Sequence, residues 1–150
     1  MDERFFLLYE EVDWCYAGRR AGYESLSVPR AKVWHKVSSS FSGNESPLYE
    51  YYFTRNRLLW SQKNLTFFRK LRAYYIVFSR VFMPHVWYRK DVALLKRIYW
   101  DFLYHKRAKS DGIASARMRG FYDFIRRRFG ECPAVIYGMQ KQYKHKEGGK

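Results

Sequence analysis

From Leu48 onward the chain has a helical texture, and that pattern restricts its fold more than any other feature. Leu71, Tyr75, Phe78 and Phe82 recur at spacings of three and four, which lines them up along one side of a helix over roughly 64–82. Arg69, Arg72 and Arg80 fall together on another side, and Pro84 ends the segment. A helix over 48–62 precedes it, with Ser46 as N-cap and Pro47 at the first position. Asp91 can cap a further helix reaching to about Ala108, with Leu95, Ile98, Tyr99 and Phe102 along one face. A last helix over about 114–129 closes on Arg126-Arg127-Arg128. Residues 131–150 are expected to form a tail, disordered from Gly138, where Lys residues and Gly148-Gly149 dominate.

Charge divides the chain unevenly. Residues 1–50 hold 6 basic and 8 acidic side chains, whereas residues 55–130 hold 19 basic and 4 acidic, a net of +15 for the second stretch. Such an asymmetry points to two regions with different work, the basic one suited to a polyanionic surface or phosphorylated ligand. Aromatics form 21% of the residues, far more than a disordered chain carries, so most of the molecule is expected to be ordered. Cys15 and Cys132 show neither metal-site spacing nor a disulfide framework, which favours a reducing compartment. Acidic Asp2 and Glu3 ahead of a short apolar run do not read as a signal peptide. The most apolar stretch, 73–88, is broken by Arg80 and Pro84, short of the ~18 apolar residues a spanning helix needs.

The first fifty residues read differently from the rest. Glu10 to Ala21 predicts a helix with acids in its first turn, Arg19 and Arg20 in its last, and Gly22 as its stop. Tyr23 to Val28 and Ala31 to His35 predict two short strands around Pro29. Glu10, Glu11 and Asp13 thus stand at a helix N-terminus beside the aromatic run Phe5-Phe6-Leu7-Leu8-Tyr9. An apolar wall raises a carboxyl pKa, as a general base requires, while the helix terminus favours the ionised form. The plainer alternative is that acids simply suit a helix N-terminus. His35 at the end of an apolar strand has a plain alternative as well, that of a satisfied core residue.

Three blocks carry a resemblance. They are Glu3-x-Phe5-Phe6-Leu7 through Glu10-Glu11-Val12-Asp13 to Gly22-Tyr23; Val28-Pro29-x-Ala31-x-Val33-x-His35-Lys36; and Ser46-Pro47 through Tyr51-Tyr52 to Arg55-Asn56. In this order the chain resembles the C-terminal portion of an inverting family 2 glycosyltransferase of the GT-A type, rhamnosyltransferase-like. That resemblance implies an α+β fold, with a remnant of a GT-A α/β catalytic domain over 1–47 and an amphipathic helical extension over 48–130. It implies Glu11 as the general base, where the family more often has Asp, with Glu10 and Asp13 orienting the site or binding acceptor. It implies His35 as a ligand of a divalent ion, Mg²⁺ or Mn²⁺, on the donor pyrophosphate. Arg55 and Asn56 are open to two readings: contact with a phosphate of donor or lipid-linked acceptor, or a pin between the 48–62 helix and the catalytic domain.

The reaction so implied moves a sugar from a nucleotide-sugar donor to a saccharide or lipid-linked saccharide. No Asp-x-Asp motif and no Gly-rich phosphate loop occurs in residues 1–150, so the isolated chain is expected to be inactive, either a truncated reading frame or one that works with a separate chain supplying the donor-binding half. The basic aromatic helices suggest a cytoplasmic location, peripheral on the inner face of the cell membrane, against anionic lipid. A nucleic-acid-binding module or an adaptor without catalysis is the rival class. No zinc spacing, RNP-like string or helix-turn-helix signature supports nucleic acid as a partner, and an adaptor leaves the three blocks unexplained.

Overall fold

The computed structural model describes residues 1–32, 34, 46–82 and 112–148. Among the described residues it is helical throughout: α1 (Glu10–Arg20), α2 (Pro47–Asn64), α3 (Phe67–Phe82), α4 (Ile113–Ile125) and α5 (Ala134–Gly148). The expected α+β fold with a GT-A sheet remnant is overturned, since the described residues contain no strand. A strand is stable only when a neighbouring backbone takes up its N–H and C=O groups. Among the described residues none provides such a neighbour for 23–32, which are exposed; their described backbone bonds are local, Tyr23 N–H to Gly18 O and Ala31 N–H to Val28 O. Val33 and His35 of the second predicted strand, and the helix expected over 91–108, lie outside the described residues. The tail expected to be disordered is instead α5, whose Ile136 is wholly buried.

Helix α2 is the hub against which α3, α4 and α5 pack. Its start follows the expected chemistry: Ser46 Oγ accepts from Tyr49 N–H, and Pro47 occupies the first turn, where its missing N–H is no loss. One core cluster joins Leu48, Tyr51 and Tyr52 of α2 to Ala116, Cys132 and Ile136. A second joins Leu58 to Val77 and Val81 of α3, with Met118, Phe121 and Phe124 of α4 against it. The α2–α4 crossing is close enough that a Cβ on Gly120 would lie 2.5 Å from the Tyr51 carbonyl oxygen. Only glycine permits that approach.

Buried polar groups lock the same elements. Glu50 accepts both a 2.8 Å bond from Arg117 Nε and a 2.8 Å bond from Arg117 Nη2, and takes a third from Arg80 at 3.1 Å. That carboxylate therefore ties α2 to α3 and α4 at once, with its charge compensated from two sides. Tyr51 Oη donates to Asp123 at 2.9 Å, and Gln140 Oε1 accepts from Leu48 N–H at 3.1 Å, anchoring α5 to the first turn of α2. Among the described residues no helix is long and apolar enough to cross a membrane.

Candidate functional site

The site begins with a strained loop. Phe6, Leu8 and Tyr9 all have left-handed backbone, with φ of 60, 66 and 73°. Non-glycine residues adopt that region at a cost of about 1 kcal/mol or more each, so the segment needs outside bonds to stay there. Of the buried strand or turn that its apolar run allows, the segment takes the turn, bending throughout residues 5–9. Asn56 Nδ2 reaches the carbonyls of Phe5, Leu7 and Leu8 at 2.8, 2.7 and 2.8 Å. Arg55 donates from Nη2 to Arg4 O and Phe5 O, from Nη1 to Tyr51 Oη, and from Nε to Asn56 Oδ1. Both side chains are fully buried.

Of the two readings left open for Arg55 and Asn56, geometry carries the pin. Every nitrogen of the guanidinium is engaged within the protein, so neither residue presents a donor to a phosphate. The first and third sequence blocks are thereby one structural unit, bonded across about fifty residues of chain.

The pinned loop leads into α1. Tyr9 caps it in left-handed conformation, without a side-chain cap bond, so Glu10, Glu11 and Asp13 supply the negative charge that favours the helix N-terminus. At the other end Gly22, at φ 90°, allows Gly22 N–H to reach Arg19 O and Tyr23 N–H to reach Gly18 O. This glycine-terminated closure turns the chain back along the helix.

The three acids have three different surroundings. Asp13 is buried, accepting from Lys63 Nζ at 2.6 Å and Asn64 Nδ2 at 2.9 Å, and so fastens α1 to the end of α2. Glu10 is part-buried, and burial pushes its carboxyl above the usual range; its Oε2 has no partner among the described residues. Glu11 is exposed, on the edge of an open groove of about 680 Å³ that Val12, Cys15, Tyr16, Arg19, Tyr23 and Trp60 help to line. Tyr16 stands edge-on to Trp60 with ring centres 5.4 Å apart, and its hydroxyl donates to Asn64 O. Tyr9 packs on Trp60 from the loop side.

Chemically, the groove offers two exposed carboxylates, Glu11 and Glu24, one arginine and three aromatic rings. Trp60, Tyr16, Tyr23, Lys63 and Asn64 were not anticipated. Their signal was present in part: Phe53, Asn56, Trp60, Lys63 and Asn64 recur every three or four residues along α2, on the side that meets α1 and the loop. Among the described residues no group of three or more His, Cys, Asp or Glu could hold a metal ion, and His35, the ligand implied for the divalent ion, lies outside them. No family model, no curated protein and no solved structure matches the chain.

Proposed function

We propose that the chain is the acceptor-side part of an inverting sugar transferase, with Glu11 as the base that deprotonates an acceptor hydroxyl. The observation that carries this reading is the exposed Glu11 carboxylate on an aromatic-walled groove. The C–H faces of a pyranose are apolar and stack on indole and phenol rings, while its hydroxyls need acceptors such as a carboxylate. A hydroxyl hydrogen-bonded to Glu11 would lose its proton to that carboxylate as its oxygen attacks the anomeric carbon, and the donor's nucleotide diphosphate would leave. Asp13, held by Lys63 and Asn64, and Arg55 with Asn56, holding the loop, position α1 and hence Glu11. The acceptor is a saccharide or lipid-linked saccharide and the donor a nucleotide sugar. The concentration of basic residues in 55–130 supports a peripheral place at the cytoplasmic face of the membrane.

Saccharide binding by the purified chain tests the reading without a donor. Oligosaccharides should perturb the NMR signals of the Trp60 indole and of Tyr16 and Tyr23, and Trp60→Ala should abolish the effect. Glu11→Gln should leave binding within a few-fold, yet lower transfer about 10²–10⁴-fold wherever the donor-binding half is supplied. Saccharide contacts that map away from the groove, or none at millimolar concentration, would reject the proposal.

A further inference from the structure

Helix α3 divides its apolar residues between two jobs. Ala73, Val77 and Val81 are buried, and Tyr74 and Phe82 pack against the Leu58 cluster with α4. A second apolar arc remains outside. Phe67, Phe68, Leu71 and Tyr75 are 68, 81, 51 and 67% exposed, and Phe78 still shows 45% of its surface although it touches Phe82 and Phe121. At 100° per residue these five side chains span about 100° of the helix circumference, a continuous stripe rather than scattered exposure. Of the four side chains the sequence aligns, Phe82 packs on the core cluster while Leu71, Tyr75 and Phe78 stay exposed.

Charge on α3 itself has one sign. Arg69 and Arg72 are exposed, Lys70 is half-buried, and α3 contains no Asp or Glu. Arg127, from the end of α4, lies close enough to Tyr74 for its charge to be felt at the phenol. The carboxylate that Arg80 reaches, Glu50, is also held by Arg117 and offers no negative charge to a ligand. A hydrophobic protein partner would fit the aromatics but would leave a basic rim without counter-charge.

We infer that this stripe docks α3 flat on an anionic lipid surface, its aromatic side chains in the headgroup region and its flanking Arg and Lys on lipid phosphates. Aromatic rings with an apolar body suit that depth, and a basic polar flank is what distinguishes an interfacial helix from a buried one. This deepens the peripheral location proposed above and needs neither the Glu11 chemistry nor a donor. It assigns the docking to a named face, on the helix that follows α2, rather than to net charge in general.

The full chain is tested by co-sedimentation with vesicles of phosphatidylcholine alone and of phosphatidylcholine mixed with phosphatidylglycerol. Binding to the anionic vesicles only, weakened by salt, is expected. A Phe68→Ser, Tyr75→Ser double variant should bind about tenfold or more weakly, and Arg69→Gln and Arg72→Gln roughly fivefold each. All four side chains are exposed, so the variants should keep the wild-type melting temperature, which circular dichroism checks. Unchanged binding by the double variant would overturn the face while leaving a membrane location standing. Absence of binding to anionic vesicles at low salt would remove both. Equal competition by duplex DNA would reduce the effect to charge, and a dimer that the double variant dissolves would assign the stripe to a second copy; either result overturns lipid docking. None of these outcomes bears on saccharide binding at Glu11, so the two proposals fail separately.

Discussion

Replacing Asn56 by Ala isolates what holds the left-handed loop. The side chain serves three carbonyls at 2.7–2.8 Å with two N–H groups and accepts from Arg55 Nε at 3.0 Å, so the substitution removes about three full hydrogen bonds, ~3 kcal/mol at ~1 kcal/mol each. Phe5 O keeps its bond from Arg55, but the carbonyls of Leu7 and Leu8 lose theirs, which adds on the order of 1–2 kcal/mol of unpaired polar groups. Relaxation of the strained Phe6, Leu8 and Tyr9 returns part of that, leaving a net loss of about 2–4 kcal/mol and ~5–15 °C in melting temperature. Urea unfolding followed by circular dichroism measures the loss, and amide hydrogen exchange locates it in residues 5–9 and the first turn of α1. Asn56→Asp is the control of shape, since it keeps the volume but points oxygen at carbonyl oxygen. It should destabilise at least as much as Ala. If Asp is tolerated within ~0.5 kcal/mol, or Ala loses less than ~1 kcal/mol, the donors do not hold the loop.

Gly120→Ala should cost about 1–3 kcal/mol in thermal or chemical melts, because its methyl would sit 2.5 Å from the Tyr51 carbonyl oxygen; a neutral result would mean α2 and α4 separate freely. Glu50→Gln should cost ~3–5 kcal/mol, as it strands the guanidiniums of Arg117 and Arg80 against a neutral amide, and Arg117→Lys should not be tolerated as a substitute for the bidentate pair. Glu10, whose carboxyl burial raises, is easier to keep protonated in the folded state than in the unfolded one. Its contribution to stability is therefore present below its unfolded pKa and lost as pH rises through the folded value, so Glu10→Gln should be more stable than wild type at neutral pH and match it in acid. Asp2 acts in the opposite sense: the Arg4 guanidinium, with help from Lys63, holds its carboxyl well below the usual range, so its stabilisation is present above the unfolded pKa and fades as pH falls through the folded one. Melting temperatures of Asp2→Asn and wild type should converge in strong acid, and a constant gap would argue against the ion pair.

What the sequence made legible was local. The Ser46-Pro47 start of α2, the Gly22 stop of α1 and the position of α3 follow from capping and periodicity, which act within a turn of helix. What it concealed was tertiary. Tyr23–Val28 has strand composition, but with no partner backbone among the described residues it is exposed and takes no regular structure. Phe5–Tyr9 has strand hydrophobicity, yet its conformation is dictated by Arg55 and Asn56 fifty residues away. The α5 segment is rich in Lys and Gly, and its helix is held by contacts such as Gln140 to Leu48 that no window of sequence contains. At the site, Glu11 was legible through its neighbours in the first block, whereas Trp60 needed the packing of α1 on α2 to reveal its role.

The bond from Leu48 N–H to Gln140 spans 92 residues, and the core around it takes Cys132 and Ile136 from the last fifth of the chain. That arrangement fixes an order of events during translation. While the ribosome is still adding the residues of α4, the side of α2 bearing Leu48, Tyr51 and Tyr52 has only the loop residues Phe6, Leu7 and Leu8 against it and lacks the cover that Ala116, Cys132 and Ile136 supply. The nascent chain thus carries aromatic surface in water until α5 emerges, a long exposure for a protein this rich in Tyr and Phe. That surface is fully covered only once Ile136 joins the cluster and Gln140 closes on the start of α2.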